Sequence, residues 1–455
     1  MTPLEDRVST IVLLMFENRS FDHMLGHLSL EGLVPDVNGL SAPLSQYQNF
    51  WAGDVYQPFR TKDRLLDSDL PHEWNEVAIQ LARSEVTQRL TMTGFVEAYA
   101  KSLQKGDPGP CPDPMGYFPS DQVPVTSFLA RRFLTCDRWH CPLPSSTQPN
   151  RAVAWTGSSK IFDTKARLIP TEDTILDWLD RAGIRWRVYH DGLSFFTLFS
   201  KAWGHVLGDK FRDVESFLFD MVNEPIDQGP EVIIVEPSYQ DAPHFGSNRP
   251  NDNHAPLAVG WGEEYLRRAY EAVRANPARW PKTVMVLYYD EHGGFYDHVA
   301  PPPVSYTTKG DETHAFVTAG PRIPGIIISP LVSQGSACHL LFDHTSILQF
   351  LAERFTPGQD YSADVRARQD QGIASLSAAL QEGVILAAPP PPSKPIPAPT
   401  VLGKSLAVPP STPMQAAFES AAHELMKQEP KRTGEKYPEL FHWKMAAETA
   451  RGERP

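Results

Sequence analysis

Short runs of apolar and β-branched residues recur along the chain, and most of them end in polar residues. Each run has the length and composition of a buried β-strand. The predicted strands are Thr10–Phe16, Arg185–His190, Glu231–Val235, Thr283–Tyr289 and Ile326–Ser329. Segments between them repeat apolar residues with helical spacing. Alternating strands and helices predict an α/β fold, in which a central, mostly parallel sheet has helices on both faces.

Three helices are predicted from that spacing: Thr171–Ala182, Gly262–Arg274 and His344–Phe355. The first places Ile175 and Leu179 on one face, has a Thr as its expected cap and stops at Gly183.

Polar residues follow four of the strands where these end. They are Glu17–Asn18, His190–Asp191, Glu236 and Asp290–Glu291. In α/β sheets, binding sites form beyond the carboxyl ends of the strands. We therefore expect these side chains to converge on one crevice.

Domain organisation follows from where this periodicity fails. Residues 41–125 and 192–225 show no clear period and are predicted to contain insertions around the core. Residues 386–413 are Pro-rich and are predicted to be an extended linker. The sequence thus predicts a catalytic domain over 1–385, followed after the linker by a helix (Gln415–Gln428) and a polar tail within 414–455.

Composition narrows the classes of function. The chain has 455 residues, 41% of them hydrophobic and 21% charged, which is ordinary for a globular protein. Its net charge of −13 argues against non-specific nucleic-acid binding, which depends on Lys and Arg. A phosphate ester in a pocket stays compatible with that charge, because a bound cation reverses the local field.

The chain shows no run of 18 apolar residues, so no transmembrane segment is predicted. Met1–Thr10 lacks the features of a secretory signal, which gives a cytoplasmic location by default and leaves export by another route open. The four cysteines form no CxxC pair, which disfavours a structural zinc site. Their spacing leaves a Cys136–Cys141 disulfide open.

The run from Tyr288 to Val299 (YYDEHGGFYDHV) carries the strongest chemical signal. Adjacent carboxylates at Asp290 and Glu291 repel each other unless a cation compensates them. Two following glycines allow the backbone to turn closely beneath such an ion. A solvated acidic turn is the alternative, and the two glycines and the later Asp-His pair make it the weaker one.

A second signal lies in Ile11–Gly26 (IVLLMFENRSFDHMLG), where a buried strand delivers Glu17 and Asn18. Both offer hard oxygen donors, which suit Mg²⁺, Ca²⁺ or Mn²⁺. Helix capping by Ser20 explains part of this motif and leaves Glu17 unexplained.

A third signal is Leu143–Ser159 (LPSSTQPNRAVAWTGSS). Pro149 suits the first turn of a helix, which places Thr147 just ahead of the helix N-terminus. Backbone N–H groups there favour a phosphate, and a metal can activate the hydroxyl as a nucleophile. An ordinary cap formed by Thr147, Ser145 or Ser146 is the alternative.

Three histidines are candidates for holding phosphoryl oxygens or protonating a leaving group, namely His72, His190 and His254. Taken singly, each is more typical of a surface or core histidine.

These motifs together resemble the phosphoesterase family of bacterial phosphatidylcholine phospholipases C and acid phosphatase A. The matching stretches are FENRSFDHMLG, STQPNR, NDNHAP, DEHGGFYDHVAPP and GPRIPGIIISP followed by FDHTSILQFLAERF. The resemblance implies an alkaline-phosphatase-like fold that binds one divalent ion. Oxygen ligands favour Ca²⁺, Mg²⁺ or Mn²⁺, with Zn²⁺ and iron as alternatives.

The resemblance also implies roles for individual residues. Glu17, Asn18, Asp290 and Glu291 would bind the metal, and Thr147 would be the nucleophile and touch the metal as well. His72, His190 and His254 would contact the phosphoryl group, His190 on the loosest match. Asp297 and His298 would have a supporting role.

The expected function is metal-dependent hydrolysis of phosphate esters, foremost phospholipase C-type cleavage of a phosphatidylcholine-like diester. Alternatives are a broad-specificity acid phosphatase and a non-catalytic binding protein with the same fold. Four aromatic residues near the motifs are candidates for a choline-binding box: Trp74, Phe195, Phe196 and Tyr239. The partners are thus a phosphate ester, with phospholipid among the candidates, and no nucleic acid; the oligomeric state stays open.

Overall fold

The fold is built on one central sheet of eight strands. The computed structural model describes residues 3–170, 173–243, 249–310, 313–381, 387–393 and 412–450. The sheet strands are β1 (Thr10–Phe16), β2 (Leu134–Cys136), β3 (Trp186–His190), β4 (Phe211–Asp213), β5 (Val232–Glu236), β6 (Thr283–Tyr289), β7 (Gly325–Ile328) and β8 (Ser336–Cys338).

Spatial order in the sheet is β8-β2-β7-β6-β1-β5-β3-β4. All neighbouring strands pair in parallel except β7, which is antiparallel to both β6 and β2. Seven strands therefore point the same way, which confirms the expected mostly parallel sheet.

Strands β1 and β6 form the centre of the sheet. Their seven residues each are buried on both faces, from Thr10 paired with Thr283 to Phe16 paired with Tyr289. Fully burying one Val, Leu or Ile side chain stabilises the fold by roughly 1.5–3 kcal/mol. This burial makes the two strands a rigid base, and their aligned ends bring the next residues of both strands together.

The five predicted strands are present, with ends that differ by at most one residue. The strands that the sequence did not reveal are β2, β4 and β8, each of three residues, which is too short for a periodic signal. Strand β4 lies within 192–225, so that range contributes Phe211–Asp213 to the central sheet.

Helices in the first part of the chain are Leu4–Arg7, Phe21–Leu25, His27–Leu30, Trp74–Leu81, Phe95–Ser102, Pro124–Arg132, Thr147–Thr156 and Ile175–Arg181. Those in the second part are Trp203–Val206, Phe217–Asn223, Gly260–Arg274, Thr345–Phe355, Ala363–Gln369, Pro413–Gln428, Pro430–Lys436 and Pro438–Ala450. The predicted helix from Thr171 begins later, at Ile175, because Thr174 and Asp177 form its capping box. Residues 171–172, including the predicted Thr cap, lie outside the described residues.

Part of residues 41–125 packs into a small apolar cluster that is separate from the main core. Helices Trp74–Leu81 and Phe95–Ser102 pack together around this cluster, which includes Val77 and Phe95. A short two-stranded ribbon pairs Asn49–Trp51 with Asp54–Tyr56, and Phe59–Arg60 pairs with Gly116–Tyr117. A further ribbon elsewhere joins Tyr306–Thr307 to Ala315–Phe316.

The C-terminal region contains more helix than the sequence predicted. Helix Pro413–Gln428 packs on the main core, and part of the expected polar tail forms Pro430–Lys436 and Pro438–Ala450. Most of the predicted linker, residues 386 and 394–411, and the last five residues lie outside the described residues. Among the described helices, none is long and apolar enough to cross a membrane.

Candidate active site

The ends of β1 and β6 bring four of the expected metal ligands together. Asn18 donates its backbone N–H to Asp290 Oδ1 over 3.0 Å, and Glu291 N–H donates to the same oxygen over 2.7 Å. All four of the expected carboxylate and amide residues are buried, Glu17 and Asn18 from β1 and Asp290 and Glu291 from β6.

Close backbone packing explains the glycine that follows Glu291. A Cβ atom on Gly293 would lie 2.1 Å from the Asn18 carbonyl oxygen, and Gly293 has a φ of +62°. Only glycine fits such an approach in this backbone region. Asn18 itself has a φ of 58°, a region that Asn tolerates better than most residues. The backbone turn at Asn18 therefore packs directly against the turn at Gly293.

Thr147 lies beside these residues, at the first position of helix Thr147–Thr156. Its Oγ1 donates to Asn18 Oδ1 over 3.3 Å. Asn150 fixes the preceding turn, because its Nδ2 donates to Ser145 O (2.8 Å) and Ser146 O (3.0 Å). The N-cap position is Ser146, so the helix begins one residue earlier than predicted. Thr147 thus combines a buried hydroxyl with a helix N-terminus, where backbone N–H groups favour an anion.

Arg151 is a residue of this site that the sequence reasoning missed. Its side chain is fully buried, and Nη2 lies 2.9 Å from Glu17 Oε1 while Nε donates to Asp290 Oδ2 over 3.0 Å. Its Nη1 donates to Tyr239 Oη over 3.0 Å. Arg151 lies one turn after Thr147 on the same helix. That four-residue spacing in the sequence indicates that the two side chains lie on the same face of the helix. The guanidinium joins the strand-end carboxylates to the helix of Thr147.

Burial and neighbouring charges shift the pKa values of two carboxyl groups in this site, those of Asp290 and Glu17. Burial raises the pKa of Asp290 to about 7, although Arg151 opposes the shift. Burial also favours the neutral form of Glu17, yet Arg151 and His254 outweigh it and lower the pKa of that carboxyl. The site therefore brings several buried carboxyl groups together, and positive charge is needed to compensate their mutual repulsion when they are ionised.

Glu291 provides the test of whether this site fits a metal ion. Its Oε2 accepts a hydrogen bond from Gly293 N–H over 2.7 Å, while its buried Oε1 has no hydrogen-bond partner among the described residues. An unsatisfied buried acceptor is costly. The side chain of Asn18, whose backbone packs against the turn after Glu291, offers a hard oxygen, Oδ1, and Thr147 Oγ1 lies 3.3 Å from that atom. Divalent cations prefer hard oxygens of this type. The residues fit a divalent cation next to Glu291.

His72 presents a ring nitrogen to this cluster. Its Nδ1 donates to Leu70 O over 2.6 Å, and its Nε2 lies 3.2 Å from Asn18 Nδ2 and 3.9 Å from Glu291 Oε1. Burial by itself lowers the pKa of His72, but Glu291 and Asp69 raise it to about 9. The bond to Leu70 O fixes the ring of His72 so that its Nε2 faces the side-chain amide of Asn18.

His254 lies among carboxylates on the other side. Its Nε2 is 3.2 Å from Asp69 Oδ2, and its Nδ1 is 3.1 Å from Glu17 Oε2 and 3.4 Å from Asp241 Oδ2. Burial opposes the charged ring, yet these carboxylates raise the pKa of His254 well above its usual value. Two sets of side chains here have ligand atoms within 4.8 Å of one another and could hold a metal ion. They are Asp69, His72 and His254, and Glu17, Asp252 and His254.

His190 is not brought into this cluster. Its Nδ1 donates to Gly192 O over 2.7 Å, and its ring packs beside Phe211 and Tyr437. The reason is strand order: β3 lies two strands from β1, which is roughly 10 Å at the usual spacing. Contact between His190 and a phosphoryl group stays a prediction from the resemblance.

A comparison with known protein families identifies the chain. The family model described as the phosphoesterase family matches residues 8–356. This chain belongs to the phosphoesterase family.

Curated relatives of this phosphoesterase carry phospholipase names. It is 30% identical over 368 residues to non-specific phospholipase C1 of Arabidopsis thaliana, covering 76% of this chain and 66% of the relative. It is 28% identical over 410 residues to the non-hemolytic phospholipase C of Burkholderia pseudomallei (strain K96243), covering 76% and 55%. The chain thus spans just under two thirds of the plant relative and about half of the bacterial one.

Among solved structures, one similar chain is an alkaline phosphatase superfamily protein from Vibrio parahaemolyticus. The two align with a TM-score of 0.32 at 14% identity over 51% of this chain and 60% of the other.

The aromatic residues proposed for a choline box have different environments in this phosphoesterase. Phe195, Phe196 and Tyr239 are at most 2% exposed and belong to the core. Trp74 alone of the four is half-buried, with its ring centroid 5.9 Å from Phe162 and 4.7 Å from His314. The four therefore do not form one open box.

Asp297 and His298 belong to a separate network that supports the site loops. Arg322 is fully buried and donates to Asp297 Oδ1 (2.8 Å) and Asp22 Oδ1 (3.1 Å). His298 Nδ1 donates to Asp22 Oδ2 over 2.7 Å. The network joins the helix after β1 to the loop after β6, and Arg322 neutralises its carboxylates.

The cysteines are free thiols, including Cys136 and Cys141, between which a disulfide had been left open.

His190 leads to a prediction about stability in acid. Burial lowers its pKa to about 4, so the folded state holds the ring neutral while the unfolded chain takes up a proton below about pH 6.5. Its contribution to stability is complete above that pH and is lost as the pH falls toward 4. In urea unfolding at pH 7.0 and 4.5, we expect His190→Phe to reduce the acid-induced loss by about 2 kcal/mol. An unchanged loss would contradict the buried neutral ring.

Proposed function

We propose that this phosphoesterase is a metal-dependent hydrolase of phosphate esters that performs phospholipase C-type cleavage of a phosphodiester through Thr147. One observation carries the proposal: Thr147 Oγ1 lies at a helix N-terminus, 3.3 Å from Asn18 Oδ1. Asn18 in turn packs against the turn that carries Glu291, whose Oε1 has no hydrogen-bond partner among the described residues. A hydroxyl, an anion-binding backbone and an unsatisfied carboxylate are the elements of nucleophilic phosphoryl transfer.

Transfer of the phosphoryl group occurs in two steps. Thr147 Oγ forms a bond to phosphorus, the bond between phosphorus and the ester oxygen breaks, and the departing alcohol takes up a proton. Water then attacks the same phosphorus, the bond between phosphorus and Thr147 Oγ breaks, and the proton that the water loses returns to Thr147. The phosphorylated headgroup or phosphate leaves. At the start of helix Thr147–Thr156, Pro149 has no N–H and the Gln148 N–H donates to Thr164 Oγ1 over 3.4 Å. The Thr147 N–H is therefore the group that we assign to stabilising charge on an equatorial oxygen.

Glu291, Asn18, Asp290 and Thr147 are the residues that would hold the divalent ion. Glu17 contributes through Arg151 and His254, because those cations lie at its two oxygens. When bound, the ion lowers the pKa of the attacking hydroxyl and neutralises negative charge on the phosphoryl oxygens.

His72 is the side chain best placed to supply a proton to the departing oxygen. Its Nε2 faces Asn18 Nδ2, and its side chain is 11% exposed at the edge of the site. His254 has carboxylates at both ring nitrogens, so we assign it to stabilising Glu17 and Asp69 and, through them, the shape of the pocket.

A diester is favoured over a monoester by the names of the relatives and by the rim of the site. Trp74 follows His72 closely and forms a half-buried aromatic surface with Phe162 and His314. Such a surface suits a phospholipid headgroup or the apolar part of its glycerol backbone. Phospholipid is therefore the proposed substrate, and phosphomonoesters are the competing class.

The substrate class is tested with para-nitrophenylphosphorylcholine and para-nitrophenyl phosphate. Each is assayed after EDTA treatment and after addition of Ca²⁺, Mg²⁺, Mn²⁺ or Zn²⁺. We expect chelation to remove activity, metal to restore it, and kcat/KM for the choline diester to exceed that for the monoester. Preference for the monoester would favour a phosphatase. Hydrolysis of neither substrate with any ion would contradict both readings and favour a non-catalytic role.

A further inference from the structure

The helix Pro413–Gln428 packs against Phe195 and Tyr239 behind the site, although it lies outside the matched family region, 8–356. Phe418 stacks on Tyr239 at 5.9 Å between ring centroids and meets Phe195 edge-on at 5.9 Å. Phe195 and Tyr239 are the two rings that contact the Arg151 guanidinium. The helix therefore backs the side chains that hold Arg151.

Thr412, the N-cap of this helix, contacts the His254 side of the site. Its Oγ1 donates to Asp241 Oδ1 over 2.8 Å and accepts a hydrogen bond from Gln415 N–H over 2.9 Å. Asp241 is 6% exposed, and its Oδ2 lies 3.4 Å from His254 Nδ1. One hydroxyl thus orients the carboxylate that faces this histidine.

Met414, two residues after Thr412, contacts the part of the site around Thr147. Met414 Sδ lies 4.0 Å from Nε2 of Gln148, the residue after Thr147. Gln148 also donates to Lys165 O over 2.9 Å and accepts from Lys165 N–H over 3.0 Å. Both ends of the catalytic arrangement are therefore in contact with the first turn of the C-terminal helix.

We propose that the C-terminal helix is a wall of the active site and that Thr412 is a positioning residue, which orients His254 through Asp241. This inference rests on the proposed hydrolase function for its effect on rate. A buried carboxylate needs hydrogen bonds to remain ionised in one orientation. Without the Thr412 hydroxyl, Asp241 is free to rotate away from His254, and the pocket loses its shape.

Three substitutions at Thr412 separate positioning from helix docking. Thr412→Ser keeps both the cap and the bond to Asp241. Thr412→Asp keeps a strong N-cap but places a second carboxylate against Asp241. Thr412→Val removes both interactions. Thr433→Val is the matched control, because Thr433 Oγ1 is buried in the same helical region and donates to Leu425 O over 3.1 Å, with no described contact to Asp241.

We expect kcat/KM to fall at least about tenfold in Thr412→Asp and Thr412→Val, as for other residues that orient a site through a neighbour. Thr412→Ser should keep it within about threefold. Thr433→Val should lower the melting temperature while leaving kcat/KM near that of the wild type. Unchanged kcat/KM in Thr412→Asp, or an equal loss in Thr433→Val, would overturn the positioning role.

Hydrogen–deuterium exchange provides a readout that does not depend on turnover. Exchange in peptides covering residues 249–258 should rise in Thr412→Asp and stay at the wild-type level in Thr433→Val. If the wild type hydrolyses no substrate, the proposed function fails while this measurement still decides the positioning role. Unaltered exchange in Thr412→Asp would contradict the link from Thr412 to His254.

Discussion

We expect Thr147→Ala to lower kcat for phosphate ester hydrolysis by at least about a thousandfold, because it removes the atom that bonds to phosphorus in the proposed mechanism. The fold should persist, since the lost hydrogen bond to Asn18 is long, at 3.3 Å, and contributes about 1 kcal/mol or less. Steady-state rates with para-nitrophenylphosphorylcholine measure the first effect, and thermal unfolding measures the second.

Two variants make this result specific. Thr147→Ser keeps a hydroxyl and should retain measurable turnover. Thr156→Ala removes a hydroxyl at the other end of the same helix, where it donates to Ala152 O over 2.9 Å, and should leave kcat within about threefold. Retention of more than a few per cent of activity in Thr147→Ala would show that another group attacks phosphorus.

Glu291→Gln should weaken binding of the divalent ion at least about a hundredfold and remove hydrolysis with it. The amide oxygen of glutamine can still accept from Gly293 N–H, while its NH₂ group replaces the unsatisfied Oε1 and cannot bind a cation. Isothermal titration with Mn²⁺ measures the affinity directly. The rise in melting temperature that metal gives the wild type should disappear in this variant.

Glu263→Gln is the control for neutralising a buried carboxylate. Glu263 is 1% exposed and accepts from Val125 N–H over 2.6 Å, far along the chain from the ligand motifs. It should change stability and leave Mn²⁺ affinity at the wild-type value. Wild-type affinity in Glu291→Gln would mean that the ion binds elsewhere. It would also contradict the proposal that Asn18 and Asp290 are metal ligands.

The sequence predicted the centre of the fold well because β1 and β6 are continuous apolar runs that end in charged residues. Such runs determine a buried parallel strand almost by themselves, and parallel strands place their polar successors at one edge. Glu17, Asn18, Asp290 and Glu291 could therefore be placed together before the sheet order was known.

Sheet order was the part that no local pattern contained. His190 and Asp290 follow strands of similar appearance, yet β3 is three positions from β6. Arg151 was missed for a related reason: an arginine inside a helical motif suggests a solvated surface, and only tertiary packing reveals that it is buried between two carboxylates. Thr412 lies next to a Pro-rich stretch without any pattern, so its contact with Asp241 required the packed structure.

In the proposed mechanism Thr147 becomes covalently phosphorylated during turnover, and rapid acid quenching followed by peptide mass spectrometry detects that intermediate directly. With para-nitrophenylphosphorylcholine and metal, we predict a burst of para-nitrophenol together with a phosphocholine adduct on the peptide containing Thr147, absent from Thr147→Ala. Turnover at full rate with no adduct and no burst, or an adduct on a different residue, would contradict nucleophilic attack by Thr147.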